Sequence, residues 1–223
     1  MEPSVESAIR AIAPVATSRF GLELTVEAVE TLARFGAELL RWNLKFNLTS
    51  ISDPKEVAEL HILDSLAVAP FVPTGSTVLD IGTGGGFPGL PLAIVRPDLD
   101  LRLVDRTEKK VLFLKTTLAR LRIRNARAMQ VRVEGKAESE GLAQVDVAVS
   151  RAFAAPEPWL ALARQYVRPG GRILAMLGSE QPGPSELEAM RGPGDGVIAL
   201  HRYELPSGAK RAIVVLDRGS EGT

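Results

Sequence analysis

The stretch VLDIGTGGGFPG, residues 78–89, sets five glycines and a proline behind an apolar run that carries Asp80. Such a loop lets backbone approach a nucleotide-like ligand closely, and it reads in two ways. Gly84, Gly86 and Gly89 satisfy G-x-G-x-x-G, in which amides at a helix N-terminus cradle a pyrophosphate, the dinucleotide solution. Gly82, Gly84 and Gly86 satisfy G-x-G-x-G with an acid two residues ahead. There Asp80 would meet a phosphate with like charge, and a cationic cofactor suits it better. A plain strand-to-helix turn needs the same glycines, so the loop alone does not decide.

Asp105 lies twenty-three residues past Gly82, at the end of the next apolar run, where a carboxylate accepts two hydrogen bonds from a ribose diol. That role suits NAD and S-adenosylmethionine equally. Ser150, Arg151 and Phe153 follow a fourth run, and Phe87 and Phe153 fall where a ring can stack on a base or pack into the core. The guanidinium of Arg151 stays protonated, so it can pair with a carboxylate or phosphate but cannot act as a base. His61 and Asp64 are i, i+3 neighbours on a helix, placed equally well to orient that helix or to touch a substrate. Asn47, Thr49 and Ser50 read as capping residues, and Trp42 as core.

Composition removes several chemistries. There is no cysteine, which excludes disulfides, thiolate metal sites and cysteine nucleophiles, and two histidines leave no basis for a zinc site, so no metal is expected. No run approaches the ~20 apolar residues that span a bilayer, and no leader pattern opens the chain, so a cytoplasmic protein without membrane association is expected. Net charge is +0, yet residues 102–136 hold eleven Lys or Arg against three acids. A solvated helix face explains such a run; a polyanionic substrate explains it too, with Arg122, Arg124 and Arg127 as phosphate contacts.

The elements that must position these residues follow from periodicity. TVEAVETLARFGAELLRW spaces Val26, Val29, Leu32, Gly36, Leu39 and Leu40 as one helix face. Asp53-Pro54-Lys55-Glu56 opens another helix with an N-cap, a first-turn proline and a capping-box acid, and Val57, Leu60, Leu63 and Ala67 form its buried stripe. From residue 76 strands and helices alternate: strands at 77–81, 101–105, 126–133, 145–150 and 171–177, helices at 88–95, 108–121 and 157–167. Alternation of this kind implies a parallel sheet covered on both faces. Residues 196–205 and 210–217, joined by PSGA, read as a terminal antiparallel hairpin, and 179–196 as a loop around a short helix. The expected organisation is a helical extension over 1–72, an α/β domain over 73–218 and a tail over 219–223.

Asp80 and the terminal hairpin favour S-adenosylmethionine, whose sulfonium is positive and which has no phosphate to cradle. The chain here resembles class I methyltransferases, with a Rossmann-like sheet. WNLKFNLTSISDPKEVAELHILDSL, VLDIGTGGGFPGLPLAIVRPDL and SRAF are similar to one family among them, the 16S ribosomal RNA guanine-N7 methyltransferases known as RsmG or GidB, over about residues 38–155. The resemblance implies cofactor contacts at Gly82, Phe87, Val133, Glu134 and Arg151, to which the loop and the ribose argument add Gly84 and Asp105. It also implies 16S rRNA, in the small ribosomal subunit or an assembly intermediate, as the partner of a monomeric enzyme.

Two positions depart from the family pattern: Leu177 stands where lysine is usual and Ala212 where histidine is, although Arg211 is retained as a candidate RNA contact. No amine-binding Asn/Asp-Pro-Pro-aromatic sequence follows the fourth strand, and cysteine-dependent base methylation is impossible. Guanine N7 needs neither device, since its lone pair carries no proton. No general base is therefore expected, and Arg151 is the one candidate for a catalytic side chain. The other readings are methylation of another RNA or a small nucleophile, and a non-catalytic nucleotide-binding regulator.

Overall fold

The structure, a computed structural model, describes residues 4–151, 155–196 and 198–219. Helix α1 (Val5–Phe20) starts where Ser4 accepts from the Ser7 amide and ends at Gly21, whose φ of 63° closes the last turn. Helix α2 (Val26–Phe46) is capped by Thr25 and buries Val29, Leu32, Phe35 and Leu39. Val26, expected on that buried face, is instead exposed, while Ala28 and Val29 of the same turn are buried. The two helices pack closely at Gly36, where a Cβ would sit 2.8 Å from Val5.

The helix expected after Asp53 is not uniform. Asp53 accepts from the Lys55 and Glu56 amides, and α3 (Pro54–Glu56) widens at once into a π-helical segment, Val57–Leu63, before α4 (Asp64–Leu66). The widening changes the buried face: Leu60 is partly exposed, while His61, Asp64 and Ser65 go inside. Wide turns of this kind recur at functional sites.

Strands β1 (Thr77–Ile81), β2 (Asp100–Asp105), β3 (Ala126–Gln130), β4 (Val145–Arg151), β5 (Val167–Leu177), β6 (Ile198–Glu204) and β7 (Lys210–Asp217) form one seven-stranded sheet ordered β3-β2-β1-β4-β5-β7-β6. The first five are mutually parallel, and β7 is antiparallel to both β5 and β6, which gives the expected hairpin. Helices α5 (Gly89–Val95), α6 (Glu108–Leu121), α7 (Pro156–Ala163) and the short α8 (Pro184–Ala189) complete the layers. Several expected bounds shift, the fifth strand beginning at Val167 rather than at residue 171 and the sixth covering Ile198–Glu204 rather than 196–205. The third strand stops at Gln130, so Val131–Glu134 form a loop, and the helix after Pro156 stops at Ala163, because Val167 already pairs with Val145.

One hydrophobic cluster runs from Ile9, Leu32, Phe35 and Leu63 in the N-terminal helices to Leu101, Leu103 and Leu114 in the sheet layer. The helical part is thereby cemented to one sheet face. Trp159, Tyr166, Leu79 and Val214 build the core on the other. Strand order reverses between β1 and β4, and ligands in open α/β sheets bind outside the carboxyl ends of the strands at such a point.

Candidate active site

The glycine loop leaves β1 with Gly82, Gly84 and Gly86 at φ of 72°, 58° and 96°, a region that L side chains avoid. Its amides are largely satisfied from within. Gly82 and Thr83 donate to Val104 O, Gly84 to Asp105, Gly86 and Phe87 to Thr83 O, and Gly89 to Asp80. Asp80 is fully buried, and its Oδ2 accepts from Thr83 Oγ1 at 2.6 Å and from the Gly89 amide at 2.8 Å. The chain's own carboxylate thus occupies the N-terminus of α5, where a pyrophosphate would sit in the dinucleotide reading. The acid read from sequence as a counter-charge to the cofactor works first as the internal anchor of the loop. Burial pushes its pKa up to about 6, against the hydrogen bonds from Thr83 and Gly89 and the charge of Arg151.

Asp105 closes β2 and faces a cleft of about 550 Å³ lined by Gly82, Asp105, Lys110, Val131, Val133 and Glu134 among others. Its Oδ2 accepts from the Gly84 amide at 3.1 Å and lies 3.7 Å from Lys110 Nζ, and its Oδ1 accepts from the Thr107 amide at 2.8 Å. A carboxylate has about four lone-pair sites, so acceptor capacity remains for a diol. The loop carrying Val133 and Glu134 is held by Glu140, whose Oε1 accepts from the Glu134 and Lys136 amides, and by Tyr166, which donates to Glu140 and accepts from the Gly135 amide. The Glu134 side chain points outward and pairs with Arg132 at 2.8 Å.

Arg151 does not line this cleft. It stands on the wall of a second one, of about 780 Å³, together with Leu60, His61, Asp64, Leu177 and Arg211. Its guanidinium donates to Leu60 O at 3.0 Å and to His61 Nδ1 at 3.1 Å, lies 3.5 Å from Asp64 Oδ2, and covers the Phe87 ring at 4.8 Å. Phe87 is buried, stacked on His61 at 4.6 Å and packed on Phe35, so it supports Arg151 rather than offering an open face. Asp64 also accepts from Tyr203 Oη at 2.8 Å and lies 3.5 Å from Arg211 Nε. Tyr203 and Arg211 are register partners across β6 and β7, so both reach Asp64 from one face. Burial lowers the His61 pKa to about 4, helped by Arg151, and burial raises that of Asp64 against Arg151, Tyr203 and Arg211.

The remaining sequence expectations fall elsewhere. Arg122 and Arg124 lie between the end of α6 and the start of β3, at the amino edge of the sheet, and Arg127 pairs with Asp100 at 3.4 Å. The structure therefore does not bring these three to the cleft at the carboxyl edge. Ser150 donates to Ile81 O, tying β4 to β1, and Thr49 Oγ1 meets His61 Nε2 at 2.7 Å. Trp42 packs on Phe46 and Phe113 as expected. Phe153 lies outside the described residues. Among the described residues no group of three His, Cys, Asp or Glu could hold a metal ion, and no helix is long and apolar enough to cross a membrane. Sequence reasoning missed Lys110, Glu140, Tyr166 and Tyr203. Lys110, in the first turn after Asp105, carried a local signal; Tyr203 meets Asp64 across 139 residues and carried none.

Sheet order, terminal hairpin and the cleft beside β1 and β2 define a class I methyltransferase fold. Solved structures share it: the O-methyltransferase from Bacillus cereus in complex with SAH (TM-score 0.58, 15% identity, covering 93% of this chain and 97% of that one) and a SAM dependent methyltransferase from Aquifex aeolicus (0.55, 18%, 77% and 97%). At such identities the likeness is one of fold. Residues 28–190 match the family described as GidB, rRNA small subunit methyltransferase G, and the chain belongs to that family. Relatives named ribosomal RNA small subunit methyltransferase G include one from Myxococcus xanthus, 45% identical over 197 residues (87% of this chain, 90% of the relative), and one from Anaeromyxobacter sp. strain Fw109-5, 42% identical over 215 (96% and 97%). Leu177 and Ala212, which the resemblance sets apart from the expected family pattern, are register partners across β5 and β7 and so form one facing apolar pair.

Proposed function

We propose that the protein transfers a methyl group from S-adenosylmethionine to N7 of a guanine in 16S ribosomal RNA, acting as a cytoplasmic monomer on the small subunit or an assembly intermediate. The observation that carries this reading is membership of the rRNA small subunit methyltransferase G family, joined to a cleft whose chemistry fits that cofactor. The fit is chemical: most of the loop's amides are spent on Asp80, Thr83, Val104 and Asp105 rather than held for a phosphate, while Asp105 keeps acceptor capacity for a ribose.

S-adenosylmethionine supplies an electrophilic methyl on a sulfonium. In this reading Gly82 and Gly84 let the backbone approach it, Asp105 holds its ribose, and Val133 and Glu134 flank its adenine end. Arg151 stands between the cofactor loop and the second cleft. With the cofactor bound, a guanine N7 would accept the methyl through a lone pair that carries no proton, so no side chain of this protein need act as a general base and the residues around the two clefts would serve alignment. Arg122, Arg124 and Arg127 serve RNA phosphates at the far edge, and Arg211 serves the RNA at the second cleft. The test supplies labelled cofactor with naked 16S rRNA, a partial particle and the finished subunit, with 23S rRNA as control. Label in a small-subunit substrate alone supports the proposal, and label in 23S rRNA or in none defeats it.

A further inference from the structure

The second cleft differs in kind from the first. Its volume of about 780 Å³ falls within the ~300–1,000 Å³ that accommodate a ligand of drug or nucleotide size. It opens at the carboxyl ends of β4 and β5, and Arg151 over Phe87 makes it share a wall with the cofactor loop. Ile51, Leu60, Met176 and Leu177 give it apolar surface, and Arg151 and Arg211 give it donors.

The two arginines are not equivalent. Arg151 spends its fork on Leu60 O and His61 Nδ1 and faces Asp64. Arg211 makes one hydrogen bond among the described residues, to Lys210 O, and its Nε faces Asp64 at 3.5 Å. A guanidinium has five N–H groups, so Arg211 keeps donors for a ligand. The lining carries two guanidiniums, Arg151 and Arg211, against two carboxylates, Asp64 and Glu180, and of these Asp64 is the one that lies between the arginines, with His61 beside it neutral at pH 7.

We propose, resting on the methyltransferase reading above, that the second cleft seats the target nucleotide of the RNA and that Asp64 is the positioning residue that fixes Arg211 for it. Apolar walls cover the faces of a base turned out of its stack, and Arg211 donates to its carbonyl or phosphate oxygens. Asp64 is itself 4% exposed in its side chain and is aimed by the Tyr203 hydroxyl. It therefore works through Arg211 and not on the ligand. Without its charge, the guanidinium of Arg211 loses its tether.

A double-mutant cycle of Asp64→Asn and Arg211→Gln tests this, read both as kcat/KM for rRNA methylation and as Kd for a 16S fragment. Each single variant is expected to lose about tenfold, and the double variant about the same as the worse single one, since the two residues act as a unit. Cofactor affinity should stay within about threefold of wild type. Losses that multiply, or a folded Asp64→Asn protein equal to wild type, overturn the proposal. Should Asp64→Asn fail to fold, Tyr203→Phe replaces it, with a smaller loss that vanishes in the Arg211→Gln background; a loss undiminished there overturns the proposal equally. A wild-type protein that binds RNA but transfers no methyl defeats the proposed activity instead, and leaves the cycle readable in Kd.

Discussion

Arg151 donates through Nη2 to Nδ1 of His61 at 3.1 Å, and this fixes the imidazole tautomer. A guanidinium has no acceptor, so Nδ1 must carry the lone pair and Nε2 the proton, which is donated to Thr49 Oγ1. His61 is thus a neutral spacer between the N-terminal helices, the Phe87 ring and the end of β4.

Acid stability follows from that arrangement. With a folded pKa near 4 against 6.5 unfolded, His61 contributes stability that is complete above pH 6.5 and lost as pH falls through about 4, up to about 3 kcal/mol. Asp80, raised to about 6, acts oppositely: its contribution is complete below pH 3.8 and lost as pH rises through about 6. The two partly cancel in wild type. Urea titrations from pH 4 to 7 should therefore show that Asp80→Asn gains on wild type as pH rises and that His61→Gln gains on it as pH falls. Parallel pH curves for all three proteins would contradict both assignments.

Asp105→Ala should weaken S-adenosylmethionine binding at least tenfold, since charge-assisted hydrogen bonds are each worth ~1.5–3 kcal/mol. It also frees the Gly84 and Thr107 amides, so Asp105→Asn, which keeps an acceptor, should lose less. Calorimetry should find NAD binding poorly to wild type, because Asp80 occupies the N-terminus of α5 and most of the loop's amides are already bonded within the chain. Unchanged cofactor affinity in Asp105→Ala would remove the ribose role.

Much of this was legible in the sequence, and the misses share a cause. Alternating elements, the terminal hairpin, the glycine loop and Asp105 are local patterns, and each is found where its period or spacing put it. The sequence sets Asp80 against a phosphate by charge alone, whereas its bond to the Gly89 amide joins residues nine apart through a turn no propensity describes. The π-helical widening and the meeting of Asp64 with Arg151, Arg211 and Tyr203 depend on tertiary packing, which no local period encodes. The basic run was contiguous in sequence but is divided between two edges of the sheet, because α6 spans the full height of the layer.

Arg151→Lys keeps the charge but loses the fork that bridges Leu60, His61 and Asp64. Turnover should drop well below wild type with the shape of the pH–rate profile unchanged, because no proton transfer is involved. Near wild-type turnover by the folded variant would refute the role, and inactivity with a sharply lowered Tm would make the arginine structural.

Replacing Arg122, Arg124 and Arg127 by Ala should flatten the salt dependence of RNA binding by up to roughly 0.7–0.9 log unit per lost phosphate contact. Because the three lie at the amino edge of the sheet, kcat at saturating RNA should not change. An unaltered salt slope would make them a solvated surface.

The most direct test of the proposed chemistry is the identity of the methylated atom. Small subunits incubated with the protein and labelled S-adenosylmethionine are digested to nucleosides, and the labelled product is identified by mass spectrometry and mapped by nuclease protection. The expected result is label confined to 7-methylguanosine at one site of 16S rRNA, lost in Asp105→Ala at limiting cofactor. Label on an exocyclic amine, on a ribose or on another base would contradict an N7 attack that needs no base.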